Sequence, residues 1–420
     1  MVHQLGVKLR EQIYLFSGKL CYGLGKVASR FVEEMLYGIQ ARGSVRLSET
    51  ARALGEEISI KKVVDRLSRN LGRKGLDRHL AQSVLEEGAL RVKPNTLLIV
   101  DPSDITKKYA RKMEGLAKVR DGSEKRIGLG YWLNVIVGAE TDSSEIVPLV
   151  HELYSQKAED FVSENHQILQ AVSNVGQATK GRGIFVIDRG GDRRKLYREL
   201  VGSGGYRFII RQRGDRDLLY RGAKNRTLDL ALRCKLPYRE TIIKEKDGQE
   251  VPYFIEFGFM PVRLPEHPDN KLWLVVVTGF GEKPLMLLTT EPMRRSRKVV
   301  WWVVKAYITR WKVEETIRFI KSSYKLEDIR VLTYDRLQNM SALVLAAAFF
   351  AAVHLGMKAK LEILALHVME AAGRIFGIPN FRYYALADGI KEILTKAGKG
   401  IRPRDRTRNN QNIQLTLFSS

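Results

Sequence analysis

Apolar residues recur at helical spacing through the first 90 residues, with little alternation. A helix is predicted over 44–57, with Ser48 as its N-cap, and a second over 59–75, with Ser59 as its N-cap. The apolar face of the second helix contains Val63, Val64, Leu67 and Leu71. Six basic residues lie on its other faces or just after it: Lys61, Lys62, Arg66, Arg69, Arg73 and Lys74. This pair of helices predicts either a helix-turn-helix that reads DNA or ordinary helical packing.

At Pro94 the pattern changes to short apolar runs of strand length. Five of these runs are predicted strands: 95–104, 131–140, 144–153, 183–192 and 206–212. Helical spacing over 158–176 separates the third run from the fourth, and a short helix ending at Gly202 separates the fourth from the fifth. The order of three strands, helix, strand, helix and strand predicts one mixed α/β sheet.

Residues 213–296 return to strand-length runs between turn signals, which predicts antiparallel strands. A helix follows from about Arg297, and residues 337–396 are mostly helical. The apolar run at 341–356 is about 16 residues long, short for a membrane span, so we expect a buried helix. The basic tail at 391–408 has seven lysines and arginines against two acids, which is consistent with a solvated segment or with a DNA contact.

Composition adds a strong positive charge to this picture. The 420 residues contain 71 lysines and arginines against 47 acids, a formal net charge of +24. Such an excess indicates a polyanionic partner, most often nucleic acid, although an anionic membrane surface would also attract it. The two cysteines, Cys21 and Cys234, are too few for a disulfide framework or a cysteine-ligated metal site. They fit a reducing cytoplasm, and the N-terminus has no apolar core of signal-peptide length.

Two apolar runs end in a carboxylate, at Asp101 and at Asp188. Aspartate is disfavoured inside strands, so we expect each to lie where its strand leaves the sheet, at an edge where sites tend to form. Asp104 is an alternative to Asp101, which is favoured because it directly ends its apolar run. Asp192 is a weaker alternative to Asp188.

A third carboxylate belongs to an unusual helix face. Tyr307, Arg310, Glu314 and Lys321 fall within a sector of roughly 60° if residues 307–321 form one continuous helix. Three carboxylates that converge at a sheet edge require a neutralising cation. An oxygen donor set without cysteine or a histidine motif favours Mg²⁺ or Mn²⁺, and two such ions can activate a hydroxyl and stabilise the leaving oxygen of a phosphodiester.

The spacing of Tyr307, Arg310, Glu314 and Lys321 matches the YREK signature, so the chain resembles the DDE transposases of bacterial cut-and-paste insertion sequences. The runs "TLLIVDPSDITKKYA" and "FVIDRGGDRRKLYREL" are similar to the strands that carry the first and second aspartates of that family. The resemblance implies an α/β fold with a ribonuclease H-like mixed sheet core, an inserted antiparallel β domain and helical terminal regions. It implies Asp101, Asp188 and Glu314 as catalytic and metal-binding residues, with two Mg²⁺ or Mn²⁺ ions.

By the same resemblance, Tyr307, Arg310 and Lys321 are expected to contact phosphates near the cleaved DNA end. Further candidates are Arg318, on the same helix, and Lys107 and Lys108, in the basic stretch 105–126, for which a solvated loop is the alternative. Some relatives hold a flipped base with a tryptophan in the last strand of the insertion. Leu285 and Met286 stand in the corresponding strand here, so Trp273 is considered for that role, against an ordinary core position.

The predicted organisation has five parts: a helical DNA-binding region at 1–90, core at 91–212, a β-rich insertion at 213–296, the catalytic glutamate helix at 297–336, and a helical C-terminal region with a basic tail at 337–420. The implied function is metal-dependent cleavage at transposon ends and strand transfer into target DNA, in a bacterial or archaeal cytoplasm at the nucleoid. The implied partners are inverted-repeat DNA, target DNA and a second copy of the chain in a synaptic homodimer. A metal-dependent nuclease without strand transfer and a domesticated, non-catalytic DNA-binding protein are the alternatives.

Overall fold

The fold is taken from a computed structural model, which describes residues 2–107, 110–120, 126–246, 249–371 and 382–401. Lys108, part of the basic stretch around it, and the basic tail beyond residue 401 therefore lie outside the described residues.

Five helices open the chain: α1 (Val2–Leu20), α2 (Lys26–Arg42), α3 (Leu47–Leu54), α4 (Ile60–Leu71) and α5 (Leu76–Ala89). Ser48 is not the N-cap that the sequence suggested, because α3 begins at Leu47, with Arg46 at the N-cap. Ser59 does precede α4, but its side chain makes no capping hydrogen bond. The guanidinium of Arg66 pairs with the carboxylates of Glu34 and Glu56, so this part of the basic helix is engaged within the protein. DNA reading by α3 and α4 stays a prediction.

Twelve strands in the described part of the chain form one sheet. They are β1 (Leu97–Thr106), β2 (Ala117–Arg120), β3 (Ile127–Ala139), β4 (Ile146–Tyr154), β5 (Ile184–Ile187), β6 (Phe208–Arg211), β7 (Asp217–Tyr220), β8 (Ala223–Arg226), β9 (Tyr238–Lys246), β10 (Gln249–Leu264), β11 (His267–Thr278) and β12 (Leu285–Thr289). Strands β4, β3 and β1 are antiparallel neighbours, and β5 and β6 follow parallel to β1. This is the predicted ribonuclease H-like mixed sheet.

The antiparallel strands of the predicted insertion do not form a sheet of their own. Strand β12 pairs with β6, and β11 and β10 continue beyond it, so the insertion extends the core sheet. The continuity follows from the apolar character of β11 and β12, whose Val275, Val277 and Leu287 are buried in the same layer as the core strands. Strands β7 and β9 each pair with β10 at this end, and β8 pairs with β7.

Helices cover both faces of the sheet. The second group along the chain consists of α6 (Glu164–Ala178), α7 (Arg194–Tyr197) and α8 (Thr227–Arg233), and the third of α9 (Arg297–Ile308), α10 (Trp311–Ser323), α11 (Tyr334–Phe349), α12 (Met357–Ala371) and α13 (Tyr383–Lys396). Apolar residues of α1–α5 and α9–α13 share one buried layer, which we call the first face. Those of α6, α7 and α8 share the other, the second face. The N-terminal and C-terminal helices thus pack together, and the five domain bounds remain a prediction.

The apolar run at 341–356 belongs to a buried helix, as predicted. Within the described residues, one helix, Tyr334–His354, is long and apolar enough to cross a membrane by length and composition. However, 83% of its most apolar window is buried inside the protein. This burial is typical of a core helix.

We expect the buried His151 to contribute a loss of stability on acidification, which is seen by comparison with a variant that lacks it. His151, on β4, has its Nδ1 3.0 Å from the Ser341 hydroxyl, and burial lowers its pKa from 6.5 to about 4. The unfolded chain therefore binds a proton that the folded chain does not as the pH falls from 6.5 to 4, and the free energy of unfolding drops by about 3 kcal/mol over that window. Urea unfolding of the wild type and of His151→Gln at pH 7 and pH 5 measures about 2 kcal/mol of this loss, as the difference between the two proteins. The His151→Gln variant keeps a hydrogen-bonding group without titrating, and an equal loss in this variant would contradict the assignment.

Candidate active site

The register of two parallel strands brings Asp101 and Asp188 side by side. The last paired residues of β1 and β5 are Val100 and Ile187, and each is followed directly by its aspartate. Strand β1 does not end at Asp101, as the sequence suggested, but continues to Thr106 with β3 as its partner. What ends at Asp101 is the pairing with β5, which opens the sheet edge beside both carboxylates.

Strand alternation distinguishes Asp101 from its alternative, Asp104. Asp101 shares the first face of the sheet with Ile99 and Ile105, on the side where α10 packs. Asp104 has the opposite parity, is buried, and accepts a hydrogen bond from the Thr106 hydroxyl at 2.9 Å. This arrangement favours Asp101 as the residue that faces Glu314.

The turn after β5 separates Asp188 from Asp192. Asp188 accepts a hydrogen bond of 2.7 Å from the Gly190 amide, and a Cβ at Gly190 would lie 2.8 Å from the same carboxylate oxygen. Asp192 is 1% exposed in its side chain; it pairs with Arg216 and accepts from the Arg213 amide at 2.9 Å. Asp188 is therefore the half-buried acid at the edge, while Asp192 is committed to a buried ion pair.

The predicted single helix over 307–321 is wrong, because the chain turns between α9 and α10. Around Thr309 the amides bond three residues back, as in Arg310 to Tyr307 and Val313 to Arg310, both at 3.0 Å. The Thr309 hydroxyl also donates to the Lys305 carbonyl at 2.9 Å, a contact that often bends helices. Tyr307 thus lies on a different helix from Glu314, and Arg310 lies at the bend.

Arg310 connects two of the three carboxylates. Its Nη2 lies 2.5 Å from Glu314 Oε1, and its Nη1 lies 3.7 Å from Asp101 Oδ1. The side chain of Glu314 is 51% exposed, whereas those of Asp101 and Arg310 are mostly buried. The guanidinium therefore offsets the negative charge of Asp101 and Glu314 at the edge of the sheet.

Electrostatics show that the three acids share one region. Burial raises the pKa of Asp101 to about 7; Arg310 lowers this pKa, and the negative charges of Asp188 and Glu314 raise it. Carboxylates that repel one another in a partly desolvated place bind a cation favourably.

The donor set suits a hard divalent ion, because it offers carboxylate oxygens alone. Throughout the described ranges, no three histidine, cysteine, aspartate or glutamate side chains are already arranged to hold a metal ion. At this site the Arg310 guanidinium lies between Asp101 and Glu314. The three carboxylates are suitable ligands for such an ion. In this structure the Arg310 guanidinium is the positive charge that faces Asp101 and Glu314.

The other predicted DNA contacts occupy different environments. The side chain of Tyr307 is 8% exposed in the core of the first face. Lys321 is half-buried, with its Nζ 3.6 Å from the Glu327 carboxylate, and Arg318 is exposed and pairs with Glu315 at 2.7 Å. In this arrangement Lys321 and Arg318 present their charge near the surface of α10, while Tyr307 offers little surface.

Lys107, a predicted DNA contact with a solvated loop as the alternative, does not lie in a solvated stretch. It is buried, its Nζ donates to the carbonyls of Glu327 and Ile329 at 2.5 and 3.2 Å, and burial lowers its pKa to about 8. This geometry ties β1 to the segment after α10 and leaves the ammonium unavailable to DNA.

Trp273 lies in β11 at an edge-to-face distance of 5.5 Å from Phe259, with the Lys271 ammonium 4.4 Å from its ring centroid. It is partly buried against the first face, and Leu285 and Met286 in β12 are buried. These contacts resemble ordinary sheet packing, and a role in base flipping stays a prediction.

Sequence reasoning missed Lys312, which positions the helix of Glu314. This lysine is buried on α10, and its Nζ donates to the carbonyls of Glu140, at 2.5 Å, and Ser143 in the turn between β3 and β4. Nothing in its spacing marks a lysine whose partners are main-chain carbonyls far away in the chain.

Comparison with known proteins shows the family of this chain. A family model described as "Transposase DDE domain" matches residues 94–350, which include the three carboxylates. Comparison with curated proteins gives no significant match. Among solved structures, the chain is similar to the piggyBac transposase in a cryo-EM synaptic complex with hairpin DNA, with a TM-score of 0.46, 9% identity, and coverage of 94% of this chain and 80% of that chain. Because the family model spans more than half of its length, the chain belongs to the transposases with a DDE domain.

Proposed function

We propose that this transposase cuts DNA at the inverted-repeat ends of its element and joins the freed 3′-hydroxyls to target DNA, as in cut-and-paste transposition. The observation that carries the proposal is the convergence at one sheet edge. The β1–β5 register makes Asp101 and Asp188 neighbours, and Arg310 links Asp101 to Glu314. The YREK spacing supports assignment to that subgroup of the family.

Members of this family generally use divalent metal ions, and we propose that Asp101, Asp188 and Glu314 hold two of them, Mg²⁺ or Mn²⁺. When bound, such ions activate a water or a 3′-hydroxyl and stabilise the leaving oxygen of the phosphodiester. The role of the protein itself is to position these three carboxylates. Parallel pairing fixes the two aspartates, and Lys312 fixes α10 against the β3–β4 turn so that Glu314 faces them.

Arg310 and Lys321 supply the phosphate contacts in this proposal. A guanidinium can grip a phosphate with two hydrogen bonds, and an ammonium acts as a point charge. Arg310 already lies beside the carboxylates, so a phosphate bound there would be held next to the groups that cut it.

The Arg310→Ala variant is expected to weaken complexes with transposon-end DNA. Loss of one phosphate contact should reduce the slope of log affinity against log salt by about one unit. Fluorescence anisotropy with labelled end DNA at several salt concentrations measures both quantities. Lys180→Ala serves as the control, because Lys180 is an exposed cation in the turn before β5, at the other end of that strand from Asp188. A slope that is identical in Arg310→Ala and wild type would refute the contact.

One assay separates the proposal from the two alternative functions. Pre-cleaved end DNA is incubated with supercoiled target and Mg²⁺: a transposase gives joined products, a nuclease gives only cut target, and a non-catalytic DNA-binding protein leaves both unchanged. Two ends must be held together for concerted joining, so we also propose a homodimer assembled on end DNA. The mass of the end complex, measured by light scattering, tests that state.

A further inference from the structure

A cavity lies next to the turn that carries Asp188, on the opposite face of the sheet from α10. It has a volume of about 510 Å³ and is lined by four cations, Arg194, Arg213, Arg216 and Lys224, and by four acids, Asp192, Asp215, Asp217 and Glu266. We call it the basic cavity because Arg216 pairs with two of these acids, which leaves three cations against two acids. Residues 189–226 contain twelve lysines and arginines against four acids, so this stretch alone carries a large part of the chain's excess positive charge.

The wall of this cavity is attached to the turn that carries Asp188. The Arg213 Nε donates to the Arg189 carbonyl at 3.1 Å, and the Arg213 amide donates to Asp192. Arg216 pairs with Asp192, lies 3.4 Å from Glu266, and has its guanidinium carbon 4.7 Å from the Tyr197 ring centroid. Two of the four acids in the lining are therefore occupied by Arg216, and the wall has a fixed position relative to the catalytic edge.

Other cations of the cavity have no such partners. Arg194 and Lys224 are exposed, and within the described part of the chain neither makes an ion pair or a side-chain hydrogen bond. Asp215 and Asp217 also line the cavity and offset part of this charge. Arg198 is exposed one helical turn after Arg194, and it extends the positive surface beyond the cavity.

The basic cavity and the predicted end-DNA contacts lie on opposite faces of the sheet. Helix α10, which carries Lys321 and has Arg310 at its N-cap, packs on the first face. Leu196 and Tyr197, which support the cavity, pack on the second. A duplex held by α10 would approach the carboxylates from one side and leave the cavity free for another. Strand transfer requires two duplexes at one set of carboxylates.

We propose that the basic cavity of Arg194, Arg213 and Lys224 binds the phosphate backbone of the target duplex. This inference rests on the proposed strand-transfer function, because only joining needs a second duplex. The contact is with phosphates, so it carries little sequence preference and depends strongly on salt.

The test uses the full chain with Arg194→Gln and Lys224→Gln combined. The matched control combines Lys93→Gln and Lys180→Gln, which removes equal charge from exposed positions before β1 and β5, at the far ends of these strands from the carboxylates. Binding of pre-cleaved end DNA is measured first, and capture of a labelled target duplex by the preformed end complex is measured second. We expect target capture to fall about tenfold, with a salt slope smaller by about two units, while end binding stays within twofold of wild type.

The outcomes distinguish the inference from the function on which it rests. Three results would overturn the cavity assignment. They are unchanged target capture by the cavity variant, a fall in its end binding as large as its fall in capture, and an equal fall in capture by the control variant. If the wild-type end complex neither captures nor joins target, the strand-transfer function itself fails. A charge-reversed pair, Arg194→Glu with Lys224→Glu, should enlarge the capture defect, and circular dichroism verifies that each variant is folded.

Discussion

Glu314→Gln is expected to abolish cleavage of transposon-end DNA while end binding survives. Glutamine keeps the size of the side chain and can still accept a hydrogen bond from Arg310, but it lacks the charge that a divalent ion requires. A loss of about 4 kcal/mol of transition-state stabilisation corresponds to a rate about a thousandfold lower. Cutting of labelled end DNA under single-turnover conditions measures the rate, and anisotropy measures binding.

Asp101→Asn and Asp188→Asn should give the same result, because all three carboxylates act as one set. Glu315→Gln is the matched control on the same helix, since Glu315 pairs with Arg318 and lies outside the carboxylate cluster. We expect this control to cut within about twofold of wild type. Ordinary cleavage by any one of the three acid variants would remove that residue from the proposed site.

The sequence was sufficient to predict that Asp101 and Asp188 lie at one edge of the sheet, because aspartate is conspicuous at the end of an apolar run. The prediction that β1 ends at Asp101 was nevertheless wrong, and Pro102 shows why the strand end was misplaced. Among the described strands, β3 alone pairs with β1 beyond Val100, and a strand segment with one free edge tolerates proline. A local pattern does not reveal on which side a strand has lost its neighbour.

Other features depended on long-range packing that no local pattern encodes. Lys107 was predicted as a DNA contact and Lys312 was not singled out, yet each is buried with main-chain carbonyls distant in the chain as partners. The bend at Thr309 was also not predicted, because a threonine within an apolar and charged helical pattern is compatible with a straight helix. Spacing therefore located the acids that lie together at the sheet edge more reliably than it indicated which side chains meet solvent.

The choice between Asp188 and Asp192 can be tested through stability. Asp192→Ala is expected to lower the free energy of unfolding by about 3–5 kcal/mol, because it leaves the Arg216 guanidinium without its buried partner. Glu266, at 3.4 Å from that guanidinium, compensates only in part. Asp188→Asn should change the unfolding free energy by less than about 1 kcal/mol, since Asp188 is half-buried and its amide-bonded oxygen is retained as a carbonyl.

Urea unfolding at pH 7 measures these differences, with Asp215→Asn as the control, because Asp215 lines the same cavity but is exposed. We expect the control to fall within about 0.5 kcal/mol of wild type. A stable Asp192→Ala protein that fails to cut DNA would instead make Asp192 a chemical participant and reverse the assignment. The two aspartates are only four residues apart, so their opposite phenotypes would follow from one difference. Asp188 leaves the sheet at its open edge, and Asp192 turns back into the protein to meet Arg216.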